Sequence, residues 1–172
     1  GMSPMGVGTD LGGSVRNPAY ACGIASTKAS LGRLPVHGTS ARAGEALLGR
    51  QLMAVAGPMA RKVVDLEAIL RATVGRHYRD PRTVDVPFDG ADFPRRVAAP
   101  TNLPGGPVHP DALEAVRRAA DALAADGWEV VDVLPPEMER CYLLWGHLLG
   151  EDFPTTLAGL DGVMSEEGAH LM

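Results

Sequence analysis

A serine that directly follows two glycines, with an acid shortly before it and an arginine shortly after, can do acyl chemistry. The run is Gly8-Thr9-Asp10-Leu11-Gly12-Gly13-Ser14-Val15-Arg16-Asn17-Pro18. Adjacent glycines leave their backbone N–H groups uncovered by side chains and open to dihedrals that other residues avoid. A hydroxyl beside such groups suits a nucleophile facing an oxyanion hole. Val15 to Ala19 is expected to open a short helix with Pro18 in its first turn, where a missing N–H costs little. The positive end of that helix is expected to favour negative charge at Ser14. Gly-Gly-Ser alone is most often a flexible turn, so the weight rests on the surrounding residues.

Composition narrows the classes. With 172 residues, 45% hydrophobic and 22% charged, the chain has the make-up of a globular protein long enough for one sizeable core. A net charge of −5 gives a nucleic-acid partner no electrostatic support. No apolar run approaches the roughly 18 residues of a spanning helix, and no secretory leader is visible. No membrane association and a cytoplasmic location are therefore expected. Cys22 and Cys141 lie far apart and form neither a disulfide framework nor a metal cluster. They are expected to be buried free thiols. No metal and no cofactor is called for.

The elements that must position the serine follow from pattern. Residues 1–7 read as a loose entry or a short strand. Residues 34–50, with scattered glycines, read as a surface loop with a helical turn at Ala43–Leu48. His37 there is expected to be a solvated loop residue, with a pocket role as the alternative. After Asp65, an apolar stripe of Leu66, Ile69, Leu70 and Thr73 at helical spacing predicts a helix ended by Gly75. Asp80 to Pro87 reads as an extended connector, and Arg95–Ala98 as a short strand. Asp111 and Glu114 have capping-box spacing, and Pro110 can alternatively sit at N1 of the same helix. Leu113, Val116, Ala120 and Leu123 form its stripe and Gly127 closes it. His109 at its entry is expected to be solvated or to cap. Trp128–Val133 alternates like a strand. Pro135-Pro136 ends it, and a helix is expected over Glu137–Leu149 with Met138, Cys141, Leu144, Trp145 and Leu148 on its buried face. Trp145 and His147 are weighed as ligand contacts, with core packing preferred for Trp145. A further short helix is expected after Pro154. Helix, glycine and strand in succession make the chain α/β.

Two stretches resemble the amidase signature family. The first runs from Gly8 through Ala19 and resumes at Cys22-Gly23. It continues with Lys28, Ser30, Gly32 and Arg33, while Ser26 and Ala29 replace a glycine and a proline of the pattern. The second is Gly57-Pro58-Met59-Ala60-Arg61 with Val63 and Asp65, Lys62 standing where a capping Ser or Thr is usual. The resemblance implies a partial amidase-signature fold with a mixed sheet flanked by helices. It implies one partial domain over residues 1–172: a nucleophile-loop half (1–80), a connector (80–100) and a helix–strand–helix half (100–172). It implies Ser14 as the acyl-enzyme nucleophile, the backbone N–H groups of Leu11, Gly12, Gly13 and Ser14 as oxyanion hole, and Asp10 and Arg16 as loop supports. Substrates would be small-molecule amides; family members include general amidases and transamidosome subunits that release ammonia from glutamine.

The family uses a Ser-Ser-Lys relay whose lysine and bridging serine, in a Gly-Ser-Ser-Gly-Gly run, lie upstream of the nucleophile. Only Ser3 precedes Ser14 here, in the wrong context. Lys28 is the tempting substitute base, yet the family's catalytic lysine lies upstream, so Lys28 is read as structural. The expectation is a chain inactive or feeble by itself, with self-association or a partner chain covering exposed sheet. The alternatives are a hydrolase completed by Lys28, a histidine or a partner chain, and a non-catalytic binding or scaffold module. A phosphate-cradling loop built on Gly6, Gly8, Gly12 and Gly13 has the wrong spacing and lacks a following Gly-Lys-Ser/Thr.

Overall fold

The computed structural model describes residues 3–36, 48–90 and 92–158, with side chains as far as Glu151. The elements are β1 (Met5–Asp10), α1 (Arg16–Cys22), β2 (Ala25–Ser26), α2 (Leu48–Met53), β3 (Val55–Ala60), α3 (Val63–Thr73), β4 (Arg96–Ala98), α4 (Pro110–Ala125), β5 (Glu129–Val131) and α5 (Met138–Ala158). The chain is α/β, with an antiparallel sheet in order β1-β3-β2 and a separate parallel pair β4-β5. Two compact units divide it, Gly1–Gly90 and Ala91–Met172. His37 and most of the expected turn at Ala43–Leu48 fall outside the described residues, as do residues 159–172 of the tail.

In the first unit β1 pairs with β3 along its whole length, from Met5 opposite Ala60 to Asp10 opposite Val55. The expected entry segment is thus a strand that carries the motif as far as Asp10. β2 pairs only through Ala25 and Ser26, opposite Ala60 and Met59. Pro58 explains the stop. The Thr27 N–H donates to its carbonyl at 3.1 Å, but proline has no N–H to return, so the ladder cannot continue. Gly57 lets the two backbones close up here, because the Thr27 carbonyl oxygen occupies the space a Cβ at this position would need.

Against this sheet lies α3. Leu66 and Ile69 bury their side chains with Ala60, and Ala25 packs beside them. The stripe holds for those two residues; Leu70 is half-buried and Thr73 exposed. The Thr73 hydroxyl instead donates to the Ile69 carbonyl at 2.7 Å. Lys62 makes no side-chain cap to α3, the consequence expected where a Ser or Thr is missing. The buried hydrophobic residues among those described (Val15, Ala19, Leu34, Ala54–Ala56, Ala60, Leu66, Ile69) all lie in this unit.

The expected extended connector Asp80–Pro87 opens instead with a folded turn at residues 80–83. Asp80 and Thr83 are buried, and Asp80 ties three places together. It accepts from the Val36 N–H at 2.8 Å and from the Arg82 N–H and Nε, both at 3.2 Å. The Thr83 hydroxyl donates to the Asp80 carbonyl at 2.7 Å. Asp-Pro opens a turn, and the buried carboxylate folds that turn onto the segment before residue 37.

The second unit contains a β4-α4-β5 crossover with parallel strands, Arg96 opposite Glu129 and Ala98 opposite Val131. Pro110 takes N1 of α4, and the His109 ring caps it, Nδ1 accepting from the Asp111 N–H at 3.2 Å. Leu113, Val116, Ala120 and Leu123 are the half-buried residues of α4, as the stripe predicts. Helix α5 runs on to Ala158, beyond the expected end at Leu149 and through the place of a separate tail helix. Its expected buried face is corrected: Met138, Trp145 and Leu148 are half-buried, but Cys141 and Leu144 are exposed. Both cysteines are free and exposed, not buried. No described helix is long and apolar enough to cross a membrane.

Gly57→Ala drives a methyl into backbone rather than into a movable side chain. It should destabilise the first unit by about 1–3 kcal/mol, measured by urea unfolding; a change within experimental error would show that β2 and β3 do not approach this closely.

Candidate active site

The site begins where β1 ends. Asp10 is the last residue of the strand and is fully buried, and its carboxylate gathers three of the backbone N–H groups that follow it. The N–H of Gly13 donates to Oδ1 at 2.9 Å, and those of Val15 and Arg16 donate to Oδ2 at 3.2 and 3.3 Å. The Arg16 guanidinium closes on the same carboxylate, Nε to Oδ2 at 3.0 Å and Nη2 to Oδ1 at 3.0 Å. This bidentate fork is the strong form of the interaction. The Lys28 ammonium adds a bond to Oδ1 at 3.2 Å.

The Arg16 guanidinium holds the Asp10 carboxyl well below the usual carboxylate range, and the N–H groups of Gly13 and Val15 and the Lys28 ammonium act in the same direction against the opposing effect of burial. The arginine, half exposed, is held above its ordinary value by the same bond.

Asp10 also alters the expectation about α1. The N–H groups of Val15 and Arg16, which a helix end leaves unpaired, are donated to Asp10, and that of Asn17 to the Gly13 carbonyl at 2.7 Å. The first N–H groups of α1 are therefore already engaged, two of them by a buried carboxylate.

Ser14 itself is exposed between two buried neighbours, Gly13 and Val15. Val15 is 0% exposed and acts as a peg. An added Cβ at Gly8 would lie 3.2 Å from its Cγ2, and one at Gly57 3.4 Å from its Cγ1. The two glycines make the hole into which this side chain fits, and the peg fixes the serine next to it. Gly13 adopts φ +116°, and a Cβ there would meet the Asn17 amide at 2.7 Å, so only glycine serves at this turn.

Of the four backbone donors expected to face an oxyanion, Gly13 is set apart because its N–H is donated to Asp10 Oδ1. Those of Leu11, Gly12 and Ser14 have no acceptor among the described residues, and neither does the Ser14 hydroxyl. Lys28 does not reach Ser14. Its ammonium donates to the carbonyls of Asp10 (3.0 Å), Leu11 (3.1 Å) and Met53 (3.3 Å) besides the Asp10 carboxylate. With three N–H bonds for four acceptors it has none to spare. No group of three or more potential metal ligands occurs among the described residues. Trp145 and His147 belong to the second unit, where Trp145 stacks on Tyr142 at 6.4 Å and His147 is exposed.

Reading the sequence did not pick out Val15, Asp80 or the Met53 carbonyl. For Asp80 the Asp-Pro pair was an available signal of a turn. The role of Val15 shows only once Gly8 and Gly57 are brought to it by the β1–β3 register.

The Amidase family profile matches residues 1–171. Over 84% of its length the chain is 35% identical to an indoleacetamide hydrolase of Bradyrhizobium diazoefficiens, covering 28% of that protein. Over 95% of its length it is 31% identical to a glutamyl-tRNA(Gln) amidotransferase subunit of Roseiflexus castenholzii, covering 33% of it. Among solved structures, 6-aminohexanoate cyclic dimer hydrolase complexed with substrate matches with a TM-score of 0.63 at 27% identity, over 80% of this chain and 30% of that one. The chain belongs to the amidase family, and it spans about a third of the length of these relatives.

Replacing Asp10 by Ala leaves the Arg16 guanidinium and three N–H groups without their acceptor, and should cost about 3–5 kcal/mol in denaturant unfolding. The pH dependence follows from the depressed folded pKa. The contribution of Asp10 is fully present above the unfolded carboxyl value of about 4 and is lost as pH falls from there toward the folded value. Asp10→Asn should flatten this limb of the stability–pH curve; an unchanged limb would place the acid sensitivity elsewhere.

Proposed function

We propose that this chain carries the nucleophile of a carboxamide hydrolase. Ser14 Oγ attacks the amide carbon, and the tetrahedral oxyanion accepts from the N–H groups of Leu11, Gly12 and Ser14. Collapse breaks the C–N bond, the leaving nitrogen departs as ammonia or amine after protonation, and a water then cleaves the Ser14 ester. Gly13 shapes the turn with its N–H held by Asp10, so in this reading its contribution to the oxyanion hole is conformational. The observation that carries the reading is an exposed hydroxyl beside N–H groups that, like it, have no partner among the described residues, on a loop tied together by Asp10, Arg16 and Lys28.

The hydroxyl also needs a base. Lys28 is occupied by four acceptors, so in this reading the base comes from outside the described residues and the chain by itself turns over slowly. The substrate class is a small amide, in keeping with relatives named as hydrolases of indoleacetamide and of the 6-aminohexanoate cyclic dimer. The working location is the cytoplasm.

A covering partner, either a second copy or another chain, follows from apolar surface within each unit. Met5 and Val7 are 48% and 61% exposed on β1, an edge strand of the described sheet. Tyr142, Leu143 and Leu144 are all more than half exposed on α5. Contiguous apolar surface of this kind marks interaction sites.

A fluorophosphonate probe tests the chemistry. Ser14 should be labelled about 10²–10⁴-fold more slowly than the nucleophile of the Bradyrhizobium indoleacetamide hydrolase, as loss of a general base implies, and Ser14→Ala should abolish labelling. Labelling that persists in Ser14→Ala, or none in the folded chain, would contradict the proposal. Light scattering at micromolar concentration tests the partner: self-association is expected, and a monodisperse monomer that binds no other chain would contradict it.

A further inference from the structure

Lys28 touches neither the Ser14 hydroxyl nor the three N–H groups assigned above to the oxyanion, yet its bonds fall on the far side of two of the same peptides. Its ammonium holds the carbonyl oxygens of Asp10 at 3.0 Å and of Leu11 at 3.1 Å. A trans peptide is planar, with C=O and N–H pointing in opposite directions. The plane that carries the Asp10 carbonyl also carries the Leu11 N–H, and the plane that carries the Leu11 carbonyl carries the Gly12 N–H. One cation that gathers both carbonyls therefore turns both N–H groups away from itself. They then lie on the other side of the loop, where they have no acceptor among the described residues.

We propose that Lys28 is a positioning residue that aims the Leu11 and Gly12 N–H groups at the oxyanion; this rests on the reading of Ser14 as nucleophile. Two further bonds make the ammonium a fixed point. The bond to Asp10 Oδ1, at 3.2 Å, ties it to the carboxylate that closes the loop, and the bond to the Met53 carbonyl, at 3.3 Å, ties it to the last residue of α2. Without this cation, consecutive peptides next to Gly12 are free to rotate, because a glycine offers little steric resistance to a flipped plane. A compact ammonium on a flexible stem suits several acceptors converging on one point better than a planar guanidinium does.

The test compares the wild-type chain with Lys28→Met, which keeps much of the apolar stem and removes the charge. Residual dipolar couplings of the Leu11 and Gly12 N–H vectors, referred to the N–H vectors of β3, read peptide orientation without any need for turnover. Both vectors should turn in Lys28→Met while those of β3 hold, and labelling of Ser14 by a fluorophosphonate should slow by about 10²-fold or more, the usual effect of losing an oxyanion donor. Vectors that stay in place overturn the proposal, as do vectors that turn with no change in the Ser14 labelling rate. Should Lys28→Met fail to fold, couplings across the hydrogen bonds in the wild-type chain decide. Lys28 15Nζ should couple to the 13C′ of both Asp10 and Leu11, and absence of either coupling overturns it. Labelling that survives Ser14→Ala would instead sink the nucleophile reading, and the N–H vectors would still decide whether Lys28 orients these peptides.

Discussion

The loop depends on one buried carboxylate. Asp10 leaves water completely at the end of β1 and recovers the lost solvation from three backbone N–H groups, a bidentate guanidinium and an ammonium. A buried charge is tolerable only when it is paired and hydrogen-bonded in this way. The pairing has a geometric result. N–H groups from both sides of Ser14 must converge on two oxygens, so the chain reverses tightly around the serine and leaves its side chain outside. The acid and the arginine thus act on the fold of the loop. The hydroxyl and the amides left there without a partner among the described residues are those that chemistry at Ser14 would use.

Apolar packing supplies the other half of the constraint. Val15 enters a space left by Gly8 on β1 and Gly57 on β3, two residues that the strand register places directly opposite each other. A β-branched side chain has few rotamers, so the peg holds the residue before it in a narrow range of positions. The second signature stretch contributes here in a way its spacing does not reveal. Gly57 admits both the Val15 peg and the Thr27 backbone, and Pro58 ends the pairing of β2 so that the chain can go on to Lys28. The two stretches are far apart in sequence and form one structure.

Much of this was legible beforehand, and the exceptions share a cause. The α/β class, the helix after Gly57-Pro58, the strand near Ala98 and the helix entered through His109-Pro110 all follow from local pattern, and local pattern is what the sequence displays. Asp10 and Arg16 as loop supports came from the family resemblance, and in the structure the two side chains pair directly. What escaped depends on contacts over long separations. Asp80 looked like part of an open connector because its main partner, the Val36 N–H, is remote in sequence. Cys141 and Leu144 follow a helical stripe, but a stripe shows only which face is apolar and not whether a neighbour covers it. That the first N–H groups of α1 are taken by a side chain from the preceding strand was likewise not visible in the sequence.

The most direct test of the central claim is the titration of Asp10 itself, followed by the 13C shift of its side-chain carboxyl in the folded protein. The carboxyl should remain ionised well below the ordinary value of about 4, with no inflection there, because the Arg16 guanidinium and the loop amides hold its charge. An inflection at the ordinary value with the fold intact would mean that the carboxylate does not organise the loop, and the account built on it would be wrong.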